Sequence, residues 1–251
     1  MKKFIGRVIL LIAIVGLIYS GYKLFVIFND YNKNAKVYNE LKDYGPKVTV
    51  GSEGNINIEG LNYEELAKIN SRFVGWITIP NTEINYPMVH PEEEKDDYYL
   101  THNFEKEENS GGAIFVESSV KHPFEDENTI IHGHHMRDGS MFADLNKFKE
   151  EDFFYSNNKV YIDTKDKSYV YEIFSVYVET ANENPYKHSF YTKEQYLSFL
   201  NELKNKSIFL ANISDFTEND KIITLSTCSY EVTDGRCLVH ARLISSQPKN
   251  S

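Results

Sequence analysis

The sequence predicts a mainly β domain, a barrel or a sandwich, carried behind one apolar N-terminal helix. Three observations predict it. Short β-rich runs recur between Trp76 and Ser245 with turn signals between them. Such runs favour a barrel or sandwich over a parallel α/β sheet. Of the 251 residues, 41% are hydrophobic and 14% aromatic, which supplies a core and excludes a wholly disordered chain. The length suits one ordinary domain with an appendage, or two small domains.

Charge and cysteine content narrow the class. Lys plus Arg number 27 and Asp plus Glu 37, for a net charge of −10. A nucleic-acid binder needs a basic face for phosphates, so that class is excluded. The two cysteines exclude a disulfide scaffold and a four-thiolate zinc site.

The N-terminus reads as a membrane anchor over residues 1–28. Val8 to Phe28 is an apolar stretch broken only by Lys23, and about 20 such residues span a bilayer core. Lys2, Lys3 and Arg7 precede it, and no acidic residue occurs before Asp30. That asymmetry keeps the N-terminus cytoplasmic and exports the remainder. A cleaved signal peptide would show a shorter apolar core and a small-x-small cleavage site. Here bulky Leu24, Phe25, Val26, Ile27 and Phe28 follow instead, and Lys23 can snorkel to the interface. An exported chain with two cysteines does not depend on disulfides, so a thiol is available for reactivity.

Residues 29–60 read as stalk and linker, with a helical stalk over 29–45 ending at Gly45-Pro46 and a Gly/Asn-rich loop over 47–60. Asn62 then caps a short helix ending near Asn70, with Glu65 at the capping-box position and Leu61 and Leu66 as a staple. Strands are expected at Trp76–Ile79, Ile84–Val89, Ala113–Val116, Thr129–His132 and Lys159–Thr164. Further strands are expected at Tyr169–Thr180, Ile208–Ala211, Lys221–Thr227 and Cys237–Ser245. One helix interrupts them: Thr192 caps it, Gln195 completes the box, and Tyr196, Phe199, Leu200 and Leu203 share one face. A shorter helix is expected from Ser140, with Met141, Leu145 and Phe148 on one side.

The chemistry concentrates in two segments. Thr224-Leu225-Ser226-Thr227-Cys228 ends an apolar strand, where a scaffold presents a nucleophile at a rim. Arg236 opens the last strand eight residues later. Two strands joined by so short a connection lie side by side, so Arg236 can approach Cys228. A guanidinium stabilises a thiolate or an oxyanion on an attacked carbonyl. A buried structural cysteine with a surface arginine is the competing reading. Cys237 alternates to the opposite face, where it packs the barrel. The second segment runs from Asn128 to Met136, a strand entering Gly133 and three histidines. Histidine is the usual activator of a cysteine. In a strand His132 and His134 share a face and His135 points away. The spacing misses the H-x-H-x-D-H zinc motif, because Met136 and Arg137 stand where Asp and His are required.

Together these segments resemble the sortases, exported cysteine transpeptidases of Gram-positive bacteria. The T-L-x-T-C motif is Thr224-Leu225-Ser226-Thr227-Cys228, the Gly-His that ends a strand is Gly133-His134, and the arginine on the following strand is Arg236. The helices expected at 62–70 and 192–204, with Tyr98-Tyr99-Leu100, Asn103-Phe104, Gly112-Ala113-Ile114-Phe115 and Gly133-His134-His135-Met136, are similar to class B. The resemblance covers about residues 62–246.

The resemblance implies an eight-stranded β-barrel over residues 61–251, with N-terminal helices and a helix in the loop before the cysteine strand. It implies that Cys228 attacks the carbonyl after Thr in a C-terminal sorting signal of the form N-P-x-T-x. A thioester forms, and an amine of a peptidoglycan precursor resolves it. His134 then moves the protons and Arg236 supports substrate and oxyanion. Asp234 is a possible third member, although Asp234-Gly235 is also a good turn signal, which is the preferred reading. Ser226 is placed to bond the bound peptide, and Leu100 and Tyr191 to line its groove. The implied partners are surface proteins bearing the signal, the peptidoglycan amine and the membrane. No cofactor or metal is expected, and the localisation implied is single-pass, with the catalytic domain extracellular. A pilin-polymerising enzyme and a non-catalytic tethered binding module are the alternatives. The polar ending Gln247 to Ser251 favours wall anchoring over pilin polymerisation, and the intact Cys, His and Arg set disfavours a binding module.

Overall fold

A computed structural model describes residues 2–50, 56–92, 95–180, 186–231 and 233–249. Helix α1 (Lys2–Leu41) is followed by a 3-10 turn at Lys42–Tyr44. Then come β1 (Lys47–Val50), β2 (Ile56–Glu59), α2 (Tyr63–Ile69), β3 (Phe73–Thr78), β4 (Asn85–Val89), α3 (Asp96–Thr101), β5 (Ile114–Val116) and β6 (Asn128–His132). A 3-10 segment at Ala143–Lys149 precedes α4 (Glu151–Ser156), β7 (Lys159–Asp163), β8 (Lys167–Thr180), α5 (Lys193–Lys206), β9 (Ile222–Ser229) and β10 (Gly235–Pro248).

Eight strands close a barrel in the order β10-β8-β7-β3-β4-β5-β6-β9, with β9 paired back onto β10. Two neighbouring pairs, β4–β5 and β6–β9, run parallel, and the others run antiparallel. Closure removes the exposed edges that short strands would otherwise present. The main core cluster includes Ile77, Ile114, Ile131, Leu225 and Val239, with Phe142, Leu145 and Phe148 packed among them. A second cluster forms where Tyr196, Phe199, Leu200 and Leu203 of α5 cover Ile222 of β9 and Leu238 of β10. Both faces of β9 and β10 are therefore buried over most of their paired length, which explains why they read as apolar runs.

The expected caps form. The Asn62 side chain accepts from the Glu65 N–H at 3.3 Å, and the Thr192 hydroxyl accepts from the Gln195 N–H at 3.2 Å. Leu61 and Leu66 both join the core.

Several elements differ from expectation. Residues 208–211 form no strand: Ile208 and Leu210 are exposed and Phe209 packs on Phe154, so the alternation reflects a loop lying on the core. Residues 47–60 were expected as loop, but β1 and β2 pair antiparallel, with Val48 opposite Ile58; residues 51–55 of that segment lie outside the described residues. The helix expected from Ser140 is the 3-10 segment from Ala143, and Met141 takes φ 58, outside the right-handed region. Helices α3 and α4 carry no cap bond from a side chain and were not expected. The helix expected over 29–45 forms as the end of α1 and the 3-10 turn, and it is packed: Asn34, Val37, Tyr38 and Leu41 of α1 are buried.

Candidate active site

Register brings the two sequence segments together. In the antiparallel β9–β10 pair Arg236 stands opposite Cys228 and Leu238 opposite Ser226. In the parallel β6–β9 pair His132 stands beside Ser226. Strand alternation then places Ile222, Thr224, Ser226 and Cys228 on the outer face, with Asn128, Ile130 and His132 of β6 and Arg236, Leu238 and His240 of β10. The lower end of this face lies under α5, where Ile222 and Leu238 are covered. Its upper end is open.

A cavity of about 390 Å³ opens there, lined by Cys228, Arg236, His134, Ser226, Tyr186 and Leu100, together with Phe115, Glu117 and His132. A second concavity of about 490 Å³ lies on the side of the β9–β10 turn, lined by Tyr230, Glu231, Thr233 and Asp234. Cys228 and Arg236 border both. A thiol, an imidazole and a guanidinium on one cavity are the side-chain set that nucleophilic acyl transfer requires.

Gly133 sets the path of the chain from β6 into His134. A Cβ at this position would meet Ile114 Cδ1 at 2.5 Å and Phe142 Cγ at 2.7 Å, so a glycine is required. The backbone is pinned on both sides of the imidazole: the Gly133 N–H donates to the Ser226 carbonyl at 3.1 Å, and the Phe142 N–H to the His134 carbonyl at 2.9 Å. The His134 Nε2 donates to the Leu100 carbonyl at 2.7 Å. Leu100 itself is held at the end of α3, where the Ala113 N–H bonds the Tyr99 carbonyl at 2.9 Å. Gly112, at φ 58, passes so close to the Tyr99 and Leu100 carbonyls that a side chain there would collide with them.

The neighbouring histidines part as alternation predicts. His132 and His134 line the cavity. The His135 Nδ1 instead bonds the Cys228 carbonyl at 3.0 Å, and its ring lies 4.8 Å from that of Tyr230. His132 Nε2 meets Glu117 Oε2 at 3.1 Å. Among the described residues no group of three or more His, Cys, Asp or Glu side chains is arranged to hold a metal.

Arg236 Nη1 donates to the Gly235 carbonyl at 3.1 Å and weakly to the Asp234 carbonyl at 3.4 Å. Asp234 sits in the β9–β10 turn at φ 54, a conformation that Asp and Asn tolerate better than most residues. It lines the turn-side concavity and not the cavity that holds His134. The Tyr186 hydroxyl shares a 2.9 Å bond with Ser226 Oγ. Burial raises the Tyr186 pKa, against the opposing pull of that bond and of the Arg236 guanidinium.

Of the expected groove residues, Ser226 and Leu100 line the cavity and Tyr191 does not. Tyr191 is 99% exposed just before α5, and Tyr186 holds the position at the wall. The loop into α5 has no periodicity from which to read the direction of either tyrosine. Both thiols are free; Cys237 is buried, and burial pushes its pKa up to about 12.

Known proteins place this geometry. The model of the Sortase domain matches residues 77–244. Sortase B of Listeria monocytogenes is 32% identical over 248 residues, covering 97% of this chain and 98% of its own. Sortase B of Staphylococcus aureus is 30% identical over 246 residues, with the same coverage of 97% and 98%. Among solved structures, Bacillus anthracis sortase B superposes with a TM-score of 0.74 at 37% identity, over 87% of this chain and 99% of that one. A Staphylococcus aureus sortase B–substrate complex superposes with a TM-score of 0.67 at 34% identity, over 72% of this chain and 84% of its own. The eight-stranded barrel, the domain match and the near full-length likeness to two class B enzymes agree: this chain belongs to the sortase family of cysteine transpeptidases, in class B.

Proposed function

We propose that this chain is a membrane-anchored transpeptidase that attaches proteins bearing an N-P-x-T-x-like C-terminal signal to a peptidoglycan amine. Cys228 is the nucleophile, His134 the proton carrier and Arg236 the group that supports substrate and oxyanion. Ser226 and Leu100 line the acyl-peptide groove. The carrying observation is the cross-strand pairing of Cys228 with Arg236 on the cavity that His134 also lines.

The Cys228 proton passes to His134, and the thiolate sulfur adds to the carbonyl carbon of the signal threonine. The tetrahedral oxyanion draws on the Arg236 guanidinium, whose charge matters most where charge develops. His134 returns its proton to the leaving nitrogen as the C–N bond breaks, and a thioester remains. An incoming amine adds to that thioester and gives its proton to His134. The C–S bond breaks and the thiolate is restored. Two concavities meeting at Cys228 suit two substrates that arrive in turn.

Residues 1–28 serve as the anchor, with the N-terminus cytoplasmic and the barrel outside. The support is a helix long and apolar enough to cross a membrane, with a mean hydropathy of 2.2 in its most apolar window, preceded by basic residues. The testing experiment is intact mass of the full chain in detergent, mixed with a panel of N-P-x-T-x peptides and quenched in acid. An adduct equal to the acyl fragment, absent in Cys228→Ala, is expected. An adduct that persists in Cys228→Ala would remove Cys228 as nucleophile.

A further inference from the structure

The cavity that reaches Cys228 has a charged wall that the transfer chemistry does not use. Glu117 and His132 face it from adjacent strands' ends, only 19% and 18% exposed, with Nε2 of His132 3.1 Å from Oε2 of Glu117. The Ser119 hydroxyl donates to Oε1 of the same carboxylate at 2.7 Å. The imidazole stacks on Phe115, with centroids 5.1 Å apart, and meets Tyr186 edge to face at 5.0 Å. Burial works against ionisation of Glu117, yet the bonds from His132 and Ser119 outweigh it and hold its pKa below the ordinary range. The carboxylate is thus fixed, charged and only partly satisfied. Two bonds occupy two of its roughly four acceptor positions.

Its place along the groove is set by register. His132 stands beside Ser226, two residues from Cys228 along β9, or about 7 Å at the strand rise. A bound peptide in extended form advances at the same rate. With its attacked carbonyl at Cys228, the side chains that reach this wall come from two to three residues upstream. Arg236, opposite Cys228, lines the same cavity, so the groove carries a cation at the chemistry and an anion two residues along the strand.

We infer that the Glu117–His132 pair determines specificity, accepting a hydrogen-bond-donating side chain, an amide or ammonium, upstream of the cleaved bond and rejecting a carboxylate there. This deepens the proposed function and rests on it: in an N-P-x-T signal the donor at that distance is the asparagine amide. A carboxylate in its place would face Glu117 with like charge and no proton to share, which costs more than a missing contact.

The test compares acylation of the full chain in detergent by two peptides that differ only in Asn or Asp at the first signal position, for wild type and Glu117→Gln. Glutamine keeps the shape: its one carbonyl oxygen can accept from His132 while its NH2 donates to the Ser119 hydroxyl oxygen. Wild type is expected to prefer the Asn peptide by at least about a hundredfold in kcat/KM. In Glu117→Gln that preference is expected to fall about tenfold, through KM, because a neutral acceptor replaces a charged one. A preference unchanged in Glu117→Gln, with wild type acylated normally, overturns this inference and leaves the transpeptidase reading standing. Absence of any Cys228 adduct in wild type overturns both. Glu117→Lys is the second variant, expected to turn the preference toward Asp; Asn preference retained there also overturns the inference.

Discussion

His134 Nε2 lies 2.7 Å from the carbonyl oxygen of Leu100, 34 residues earlier in the chain. A carbonyl can only accept, so Nε2 carries the proton and the neutral ring keeps its lone pair on Nδ1. The contact fixes the tautomer of an imidazole that shares a cavity with Cys228 and Arg236. Ring 15N chemical shifts of His134, measured where the ring is neutral, are expected to show the Nε2-protonated form. An Nδ1-protonated ring would detach His134 from Leu100 and undo this account of its orientation.

Arg236 and Cys228 are cross-strand partners, so their β-carbons are about 5 Å apart. Arg236→Lys keeps one charge but loses the planar fork of donors, of which one already binds the Gly235 carbonyl. We expect the acylation rate to fall by about 10²-fold while the melting temperature barely moves. A rate within a few-fold of wild type would mean that charge alone suffices and that Arg236 holds no oxyanion.

Asp234 supplies the contrasting outcome. It occupies φ 54 in the turn, and its backbone carbonyl, not its carboxylate, meets Arg236. Asp234→Asn preserves the turn tolerance and removes the charge, so acylation is expected to stay within about twofold. Asp234→Val puts a β-branched residue at positive φ and is expected to cost about 1–2 kcal/mol in urea denaturation. Loss of activity in Asp234→Asn with an intact fold would restore the aspartate to the catalytic set.

The legibility of this site follows the ranges over which sequence patterns operate. Cys228, Ser226 and Arg236 are close along the chain, and period-two alternation with a short turn fixes their faces. Alternation likewise separated His134 from His135. It also assigned Cys237 to the interior, where its side chain is buried. The contact between Leu100 of α3 and His134, and the pair Glu117–His132 at neighbouring strand ends, join residues 34 and 15 positions apart. Their proximity depends on strand order, which local pattern does not encode. Residues 208–211 failed in the other direction: alternation was present, but their inward side chain found a loop position beside Phe154. Pattern reports which side is buried, not whether a ladder partner exists.

His240 carries a pH dependence separate from the chemistry. It is fully buried on β10, and burial pushes its pKa down to about 3. Thr224 Oγ1 donates to Asn128 Oδ1 at 2.9 Å, so at 3.0 Å it receives the proton of His240 Nδ1. Among the described residues Nε2 has no partner, and the ring lies between Phe174 and Tyr177. The folded state therefore resists a proton that the unfolded chain takes up near pH 6.5. Stability is full above that value and declines as pH falls toward 3, by on the order of 2 kcal/mol at pH 5. Urea titrations from pH 7 to pH 4.5 are expected to show this slope. His240→Asn keeps a donor for Thr224 but cannot ionise; it is expected to lower stability at pH 7 and flatten the slope. An equally steep slope in the variant would assign the acid sensitivity to other groups.

The last turns of α1 belong to the barrel's folding unit, and truncation tests how far that unit extends. Tyr38 donates to the Gly112 carbonyl at 2.7 Å and its ring meets Tyr86 edge-on at 5.2 Å. Leu41 is 2% exposed, and Asp30 accepts from Asn109 Nδ2 at 2.9 Å. These contacts hold residues 109–112, and Gly112 packs against the Leu100 carbonyl that orients His134. Removing residues 1–28 deletes only exposed apolar helix and is expected to leave melting temperature and acylation rate unchanged. Removing residues 1–44 strips Val37, Tyr38 and Leu41 from the core, each worth about 1.5–3 kcal/mol of burial. Melting is expected to fall by more than about 10 °C. Tyr38→Phe isolates the link to the site: it is expected to cost about 1 kcal/mol and to slow acylation several-fold as Gly112 loosens. If the 1–44 deletion melted and reacted like the shorter one, the helix would be a tether alone and the orientation of His134 would owe nothing to it.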